Sequence, residues 1–186
     1  MAYSSGFSPH PRISYANAAP TGAASEAEYL EIGLAERRDP EQVRRALDAA
    51  LPPGLDVVEV VEAAGGALAD RLTGSVWMVD WPTADARALS ASAEVLLARK
   101  EYTVDRMTKN GMRSFDVRAA LVSLDVDGST LRLVLEHGVP LVRADDVVRA
   151  LVGIDPTLGV STDAVLTRLA QGPLDRDTGW VADPLA

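Results

Sequence analysis

The chain has 186 residues, 47% hydrophobic and 24% charged, with a formal net charge of −9, an ordinary balance for a globular protein with its own core. It contains no cysteine, which excludes disulfides, thiolate metal sites, iron–sulfur ligation and a cysteine nucleophile. The acidic balance opposes indiscriminate binding to nucleic acid, and no apolar run reaches the ~20 residues of a membrane span.

In chain order, the first feature is the loop Ser4-Ser5-Gly6-Phe7-Ser8-Pro9-His10-Pro11-Arg12. Pro9 and Pro11 fix their own φ angles and push Ser8 and His10 toward extended backbone, so His10 and Arg12 are presented from a stiff support. Phe7 is available beside them as an apolar anchor. No apolar signal sequence precedes it, and cytoplasm is the expected compartment. Ile13 to Ala18 predicts a short strand, and the alternation from Glu26 to Leu34 predicts another. Asp39, Pro40 and Gln42 stand at the N-cap, first-turn and capping-box positions of a helix whose apolar face carries Val43, Ala46, Leu47, Ala50 and Leu51. Pro52-Pro53-Gly54 ends it, and the valine-rich run Leu55–Val61 predicts a strand inside a sheet.

Beyond the connector Ala64-Gly65-Gly66-Ala67 the pattern repeats. Val76–Trp81 predicts a strand, and Thr83 is expected to cap a helix carrying Leu89, Ala93 and Leu96. Tyr102–Met107 predicts the next strand, and Asn110-Gly111 the turn of a hairpin with Lys109 and Arg113 at its tip. Leu121–Val126 and Leu131–Leu135 form a second hairpin around Asp127-Gly128. A helix over Asp145–Val152 is expected to stop at Gly153, and another runs from a Ser161 cap to Ala170. The strand–helix–strand order around 26–61 and 76–107 predicts an α+β fold of ferredoxin-like split β-α-β units in tandem. The sheet is expected to be mostly antiparallel, with helices on one face. The expected division is an incomplete first unit over 1–68, a second unit with added hairpins over 69–171, and a loosely attached tail over 172–186.

Neither a Gly-x-Ser-x-Gly elbow nor a phosphate-binding glycine motif is present. Charge is unevenly spread: Met1 to Ser25 holds no acid and one formal charge, Arg12, while Arg99 to Arg118 holds six basic residues against three acids. Lys100, Tyr102 and Arg106 alternate along the expected strand, an aromatic among cations suited to base stacking. Asp116 and Arg118 share a strand face and are expected to pair; Asp116 is also the leading acid–base candidate. Trp77 and Trp81 fit a core role, and His137 fits a turn.

Tyr3 through Ala16, followed by Ser25-Glu26-Ala27-Glu28-Tyr29-Leu30-Glu31-Ile32, resembles the radical SAM-associated protein family, known by its domain of unknown function, DUF2344. Tyr102 through Arg118 also resembles its members, and the likeness spans about residues 3–152. In that family a strand and helix with an Arg-Phe…Ser-His…Asp stretch precede the loop, so the first unit here is expected to be incomplete at its N-terminus. The resemblance implies a radical SAM partner protein that holds the iron–sulfur cluster and S-adenosylmethionine, with no cofactor or metal in this chain. It supports an accessory module that binds RNA, tRNA included, or another anionic ligand. Its expected ligand-binding residues are Ser5, Gly6, Phe7, Pro9, His10, Pro11, Arg12, Lys100, Tyr102, Arg106, Asp116 and Arg118. The alternatives are an RNA-modifying or RNA-processing enzyme in its own right and a docking protein without ligand.

Overall fold

The computed structural model describes residues 1–109 and 111–186. Its first elements are β1 (Ile13–Ala16), β2 (Ala24–Ser25), β3 (Tyr29–Ile32), α1 (Pro40–Ala50), β4 (Gly74–Asp80) and α2 (Ala86–Ala98). Then come β5 (Thr103–Thr108), β6 (Gly111–Asp116), α3 (Val117–Ala120), β7 (Leu121–Asp127), β8 (Thr130–Glu136) and α4 (Ala144–Ile154). The chain closes with β9 (Val165–Gly172), β10 (Leu174–Asp175) and β11 (Trp180–Val181). It divides into two compact units: Met1–Ala18 with Tyr29–Asp70 and Leu185, and Ala19–Glu28 with Arg71–Pro184 and Ala186.

In the first unit β1 and β3 pair antiparallel, Ile13 opposite Ile32 and Tyr15 opposite Leu30. Because side chains alternate across a strand, these four apolar residues share one face. α1 begins where Asp39 accepts a hydrogen bond from the Glu41 amide at 3.2 Å, with Pro40 in the first helical position, where its missing N–H costs nothing. None of its residues is buried. The predicted strand Leu55–Val61 does not form. At its centre α1 supplies the partners instead: the Val57 amide donates to Asp48 Oδ1 at 2.9 Å, and the Val57 carbonyl accepts from Arg44 at 3.2 Å.

The second unit is built on a five-stranded sheet in the order β2-β9-β4-β8-β7. Each neighbouring pair among β9, β4, β8 and β7 is antiparallel, and β2 adds to β9 in parallel. The path β4-α2-β7-β8-α4-β9 is the split β-α-β arrangement of a ferredoxin-like fold. Leu89, Ala93 and Leu96 of α2 and Val147, Val148 and Leu151 of α4 share one core with Trp77, Val79, Trp81, Leu131, Leu133 and Leu135, so both helices cover one sheet face. The α+β class is therefore as expected, with helices packed on mostly antiparallel strands.

Several expectations are corrected here. β5, expected as the second strand of the strand–helix–strand unit around 76–107, pairs only with β6 in a separate two-stranded sheet inserted before β7. The Asn110-Gly111 hairpin exists in that Thr108 faces Gly111 at φ +98°, while Asn110 lies outside the described residues. Asp85 rather than Thr83 caps α2, accepting from the Arg87 and Ala88 amides at 3.1 and 3.0 Å. α4 continues through Gly153, where an added Cβ would sit 2.6 Å from Tyr102 Oη. The helix expected from Ser161 to Ala170 is instead a single short turn followed by β9, whose backbone is taken up by ladders to β2 and β4.

The chain end, expected as a loosely attached tail, carries the β10–β11 hairpin. Its Val181 is buried with Val76 and Val134. Gly172 is what lets it approach, since a Cβ there would overlap the Ala182 carbonyl oxygen. Gly172→Ala should therefore cost about 3 kcal/mol, the upper end of overpacking. Gly138→Ala, with nothing within 4 Å of its added Cβ, should stay within about 1 kcal/mol of wild type. Urea denaturation checks both; a neutral Gly172→Ala would mean the hairpin is not seated.

Candidate functional site

The N-terminal loop is held at its base. Tyr3 and Pro11 form an antiparallel bridge, the Ser4 amide donates to the His10 carbonyl at 2.9 Å, and the His10 amide donates to Ser4 Oγ at 3.0 Å. Gly6 turns the chain at φ +125°, a conformation closed to most side chains. Between these ties Ser5 to Pro9 project into solvent, and His10, Pro11 and Arg12 are exposed with them. Phe7 is fully exposed. The base is tied further by the Arg12 amide donating to the Ala2 carbonyl at 2.9 Å and the Gly33 amide donating to the Arg12 carbonyl at 2.7 Å. Gly33 is small for a reason: a Cβ there would lie 2.9 Å from Arg12 Cβ. Tyr3 and Tyr15 are 58% and 65% exposed, so the acid-free stretch leaves three aromatic rings and one arginine in solvent.

The basic stretch from Arg99 to Arg118 is used differently. The Arg106 side chain is 11% exposed; it pairs with the buried Asp146, donates to the Leu141 carbonyl at 3.1 Å and stacks 3.9 Å from the Phe115 ring centre. It is an internal arginine, and the expectation that it faces a ligand is corrected. Burial pushes the Asp146 carboxyl above its ordinary range, while the Arg143 amide and Arg106 draw it back. Asp116 and Arg118 do not form the expected pair. Asp116 caps α3 through the Ala119 amide and accepts from the Tyr102 amide, both at 3.2 Å. Arg118 donates to the Leu97 and Leu121 carbonyls at 3.2 and 3.1 Å. Tyr102 lies just before β5, half-buried against Gly153, with Arg99 5.2 Å from its ring centre. Lys100 is exposed.

A polar cluster that sequence reasoning missed lies where β4, β8 and β9 meet. His137 is half-buried, with Nδ1 2.7 Å from the Leu72 carbonyl and Nε2 2.8 Å from Ser75 Oγ. A carbonyl only accepts, so Nδ1 carries the proton and neutral Nε2 accepts from the serine hydroxyl. Ser75 Oγ in turn accepts from Trp77 Nε1 at 2.9 Å. Burial pushes the His137 pKa below its ordinary value, and the nearby Arg168 adds to the effect. Arg168 pairs with Glu28 and donates to Ser25 Oγ at 3.2 Å, and Gln171 Nε2 donates to the Ala27 carbonyl at 2.7 Å. Ser75 and His137 are spaced like a nucleophile and its base, but Ser75 is only 2% exposed. The cluster stitches β2 and β9 to β4.

One cleft, of about 370 Å³, lies in the first unit between Ile32, Leu34, Val43, Val60 and Val61. Its rim charges satisfy each other, Arg37 bonding Glu62 at 2.8 and 2.9 Å. Among the described residues no cluster of His, Cys, Asp or Glu could hold a metal ion, and no helix is long and apolar enough to cross a membrane.

Residues 1–144 match the family described as an uncharacterized protein conserved in bacteria (DUF2344), and the chain belongs to that family. No curated protein and no solved structure matches it.

Two outcomes follow from the buried groups. His137 binds protons less readily folded than unfolded, so stability should fall as pH drops below ~6.5 toward the depressed folded pKa. His137→Asn should flatten that slope in urea melts taken across this window; an unchanged slope would remove His137 as its source. Arg106→Ala removes the close partner of the buried Asp146 carboxylate, leaving it the Arg143 amide at 2.9 Å and Arg149 at 4.0 Å, and should cost about 3 kcal/mol. A loss below about 1 kcal/mol would make the pair dispensable.

Proposed function

We propose that this DUF2344 protein is a substrate-presenting module that binds RNA, tRNA among the candidates, or another anionic ligand for a radical SAM partner. The observation that carries this reading is the N-terminal loop. Phe7, His10 and Arg12 stand exposed on a tied, proline-stiffened support within a segment that has no acid, on a chain of net charge −9. A polyanion is repelled by most of such a protein and least by this segment. The division of labour follows from composition: a chain without cysteine leaves thiolate ligation of an iron–sulfur cluster, and the radical chemistry it starts, to the partner.

A second reading, docking on a partner without ligand, is favoured by the apolar face of β1 and β3, where Ile13, Tyr15 and Leu30 are all exposed. Co-purification separates the two. If the module presents RNA, a radical SAM protein recovered with it brings RNA along, and nuclease treatment strips the RNA. If it only docks, the complex forms without nucleic acid.

Binding should be measurable directly. In an anisotropy titration with mixed-sequence RNA, Arg12→Glu should weaken affinity about fivefold or more, and added salt should weaken it further. Lys100→Ala should change affinity less than about twofold. Loss with Lys100→Ala while Arg12→Glu stays neutral would move the site to the basic stretch; no binding at any salt would end the RNA reading.

A further inference from the structure

We infer that the cleft of the first unit binds a small zwitterion with an aliphatic body, of the class of leucine and isoleucine. The inference uses none of the residues of the N-terminal loop and is independent of the RNA reading.

The floor of the cleft is aliphatic. Ile32, Leu34, Val43, Val60 and Val61 line it, and no aromatic ring is among its lining residues. These side chains meet there because their own elements leave them uncovered. Val43 belongs to α1, none of whose residues is buried, and Val60 and Val61 to the segment that forms no strand. A branched alkyl chain entering the cleft removes apolar area from water on both its own surface and the floor. The space, about 370 Å³, lies at the lower end of the range of small-molecule sites.

The rim carries charges of both signs. Arg37 grips Glu62 through two bonds at 2.8 and 2.9 Å, and Arg38 bonds Glu36 at 2.7 Å. All four side chains line the same cleft. Arg37 and Glu62 are 85% and 54% exposed, so water screens their attraction and the pair opens at little cost. A ligand with a single charge takes one partner and leaves the other without its counter-ion. A zwitterion engages both: its carboxylate enters the Arg37 fork in place of Glu62, and its ammonium meets the Glu62 carboxylate. The two-bond Arg37–Glu62 contact is itself the geometry of a carboxylate seated in that fork. In an α-amino acid both charges hang from the carbon that bears the side chain, so holding them at the rim directs the alkyl chain to the floor.

The test is a set of NMR amide-shift titrations of the full chain at about pH 7, where leucine carries both charges. The ligands are leucine, 4-methylpentanoate, which is the same chain without the ammonium, and glycine, which lacks the body. Leucine should bind at least about tenfold tighter than either of the others, and the amides of Leu34, Val43, Val60 and Val61 should shift. Arg37→Ala should weaken leucine about fivefold or more. Glu62→Gln should act in opposite directions, weakening leucine about fivefold while tightening 4-methylpentanoate about threefold, because it removes the ammonium's partner and the carboxylate's competitor together. Both substituted residues are exposed, so circular dichroism melts of the variants should match wild type. If either variant melts early, the wild-type shift map decides. Shifts that miss the cleft, or no leucine binding by folded wild type at about 10 mM, overturn the inference. Glycine binding as tightly as leucine overturns the aliphatic floor, and a Glu62→Gln change of the same sign for leucine and 4-methylpentanoate overturns the zwitterion.

Discussion

A strand that is apolar on both faces must be covered on both, and β4 imposes that requirement on the larger unit. Trp77, Val79 and Trp81 point to one side, where α2 and α4 close over them with the leucines of β8. Val76 points to the other and meets Val134 and Val181. The C-terminal hairpin is thus the second cover of the sheet. Removing apolar area from water is the main favourable contribution to folding, roughly 25 cal/mol per Å² buried. The inserted β5–β6 hairpin lies outside this sheet but shares its core through Phe115 and Val104. Arg106 adds a polar tie: its guanidinium is stacked on Phe115 and joined to Asp146 at the start of α4.

That choice has a functional consequence. A buried arginine is costly unless every donor finds a partner, so those that enter a core are committed to it. In the larger unit Arg106, Arg118 and Arg168 are all committed in this way. The basic stretch that looks like a nucleic-acid face in sequence is, at Arg106 and Arg118, internal wiring. The smaller unit spends its chemistry the other way, leaving aromatic rings and Arg12 in solvent on tied backbone.

How much of this was legible follows from how local each signal is. Asp39-Pro40 and the Asp127-Gly128 turn act within a few residues, and the structure has both features where the sequence put them. β9 was misread because a register shift opposite Val76 and Trp77 places Leu169 out of step, which breaks the alternation and leaves an apparent helical spacing behind a serine. Leu55–Val61 has strand composition, but no ladder forms there and the Val57 amide and carbonyl are met by helix side chains. Arg106 could not be read as internal, because Asp146 lies forty positions away. The His137–Ser75 contact spans sixty-two positions and leaves no periodic trace. The loop of Phe7, His10 and Arg12 was legible as rigid and polar, yet not the direction in which Phe7 points.

Photo-crosslinking tests the central claim most directly, because it reports where nucleic acid touches the chain without altering a residue. Single-stranded RNA irradiated on the intact protein, followed by mass spectrometry of the crosslinked peptides, should mark the stretch from Tyr3 to Tyr15. Crosslinks confined to Arg99–Arg118 would contradict the account.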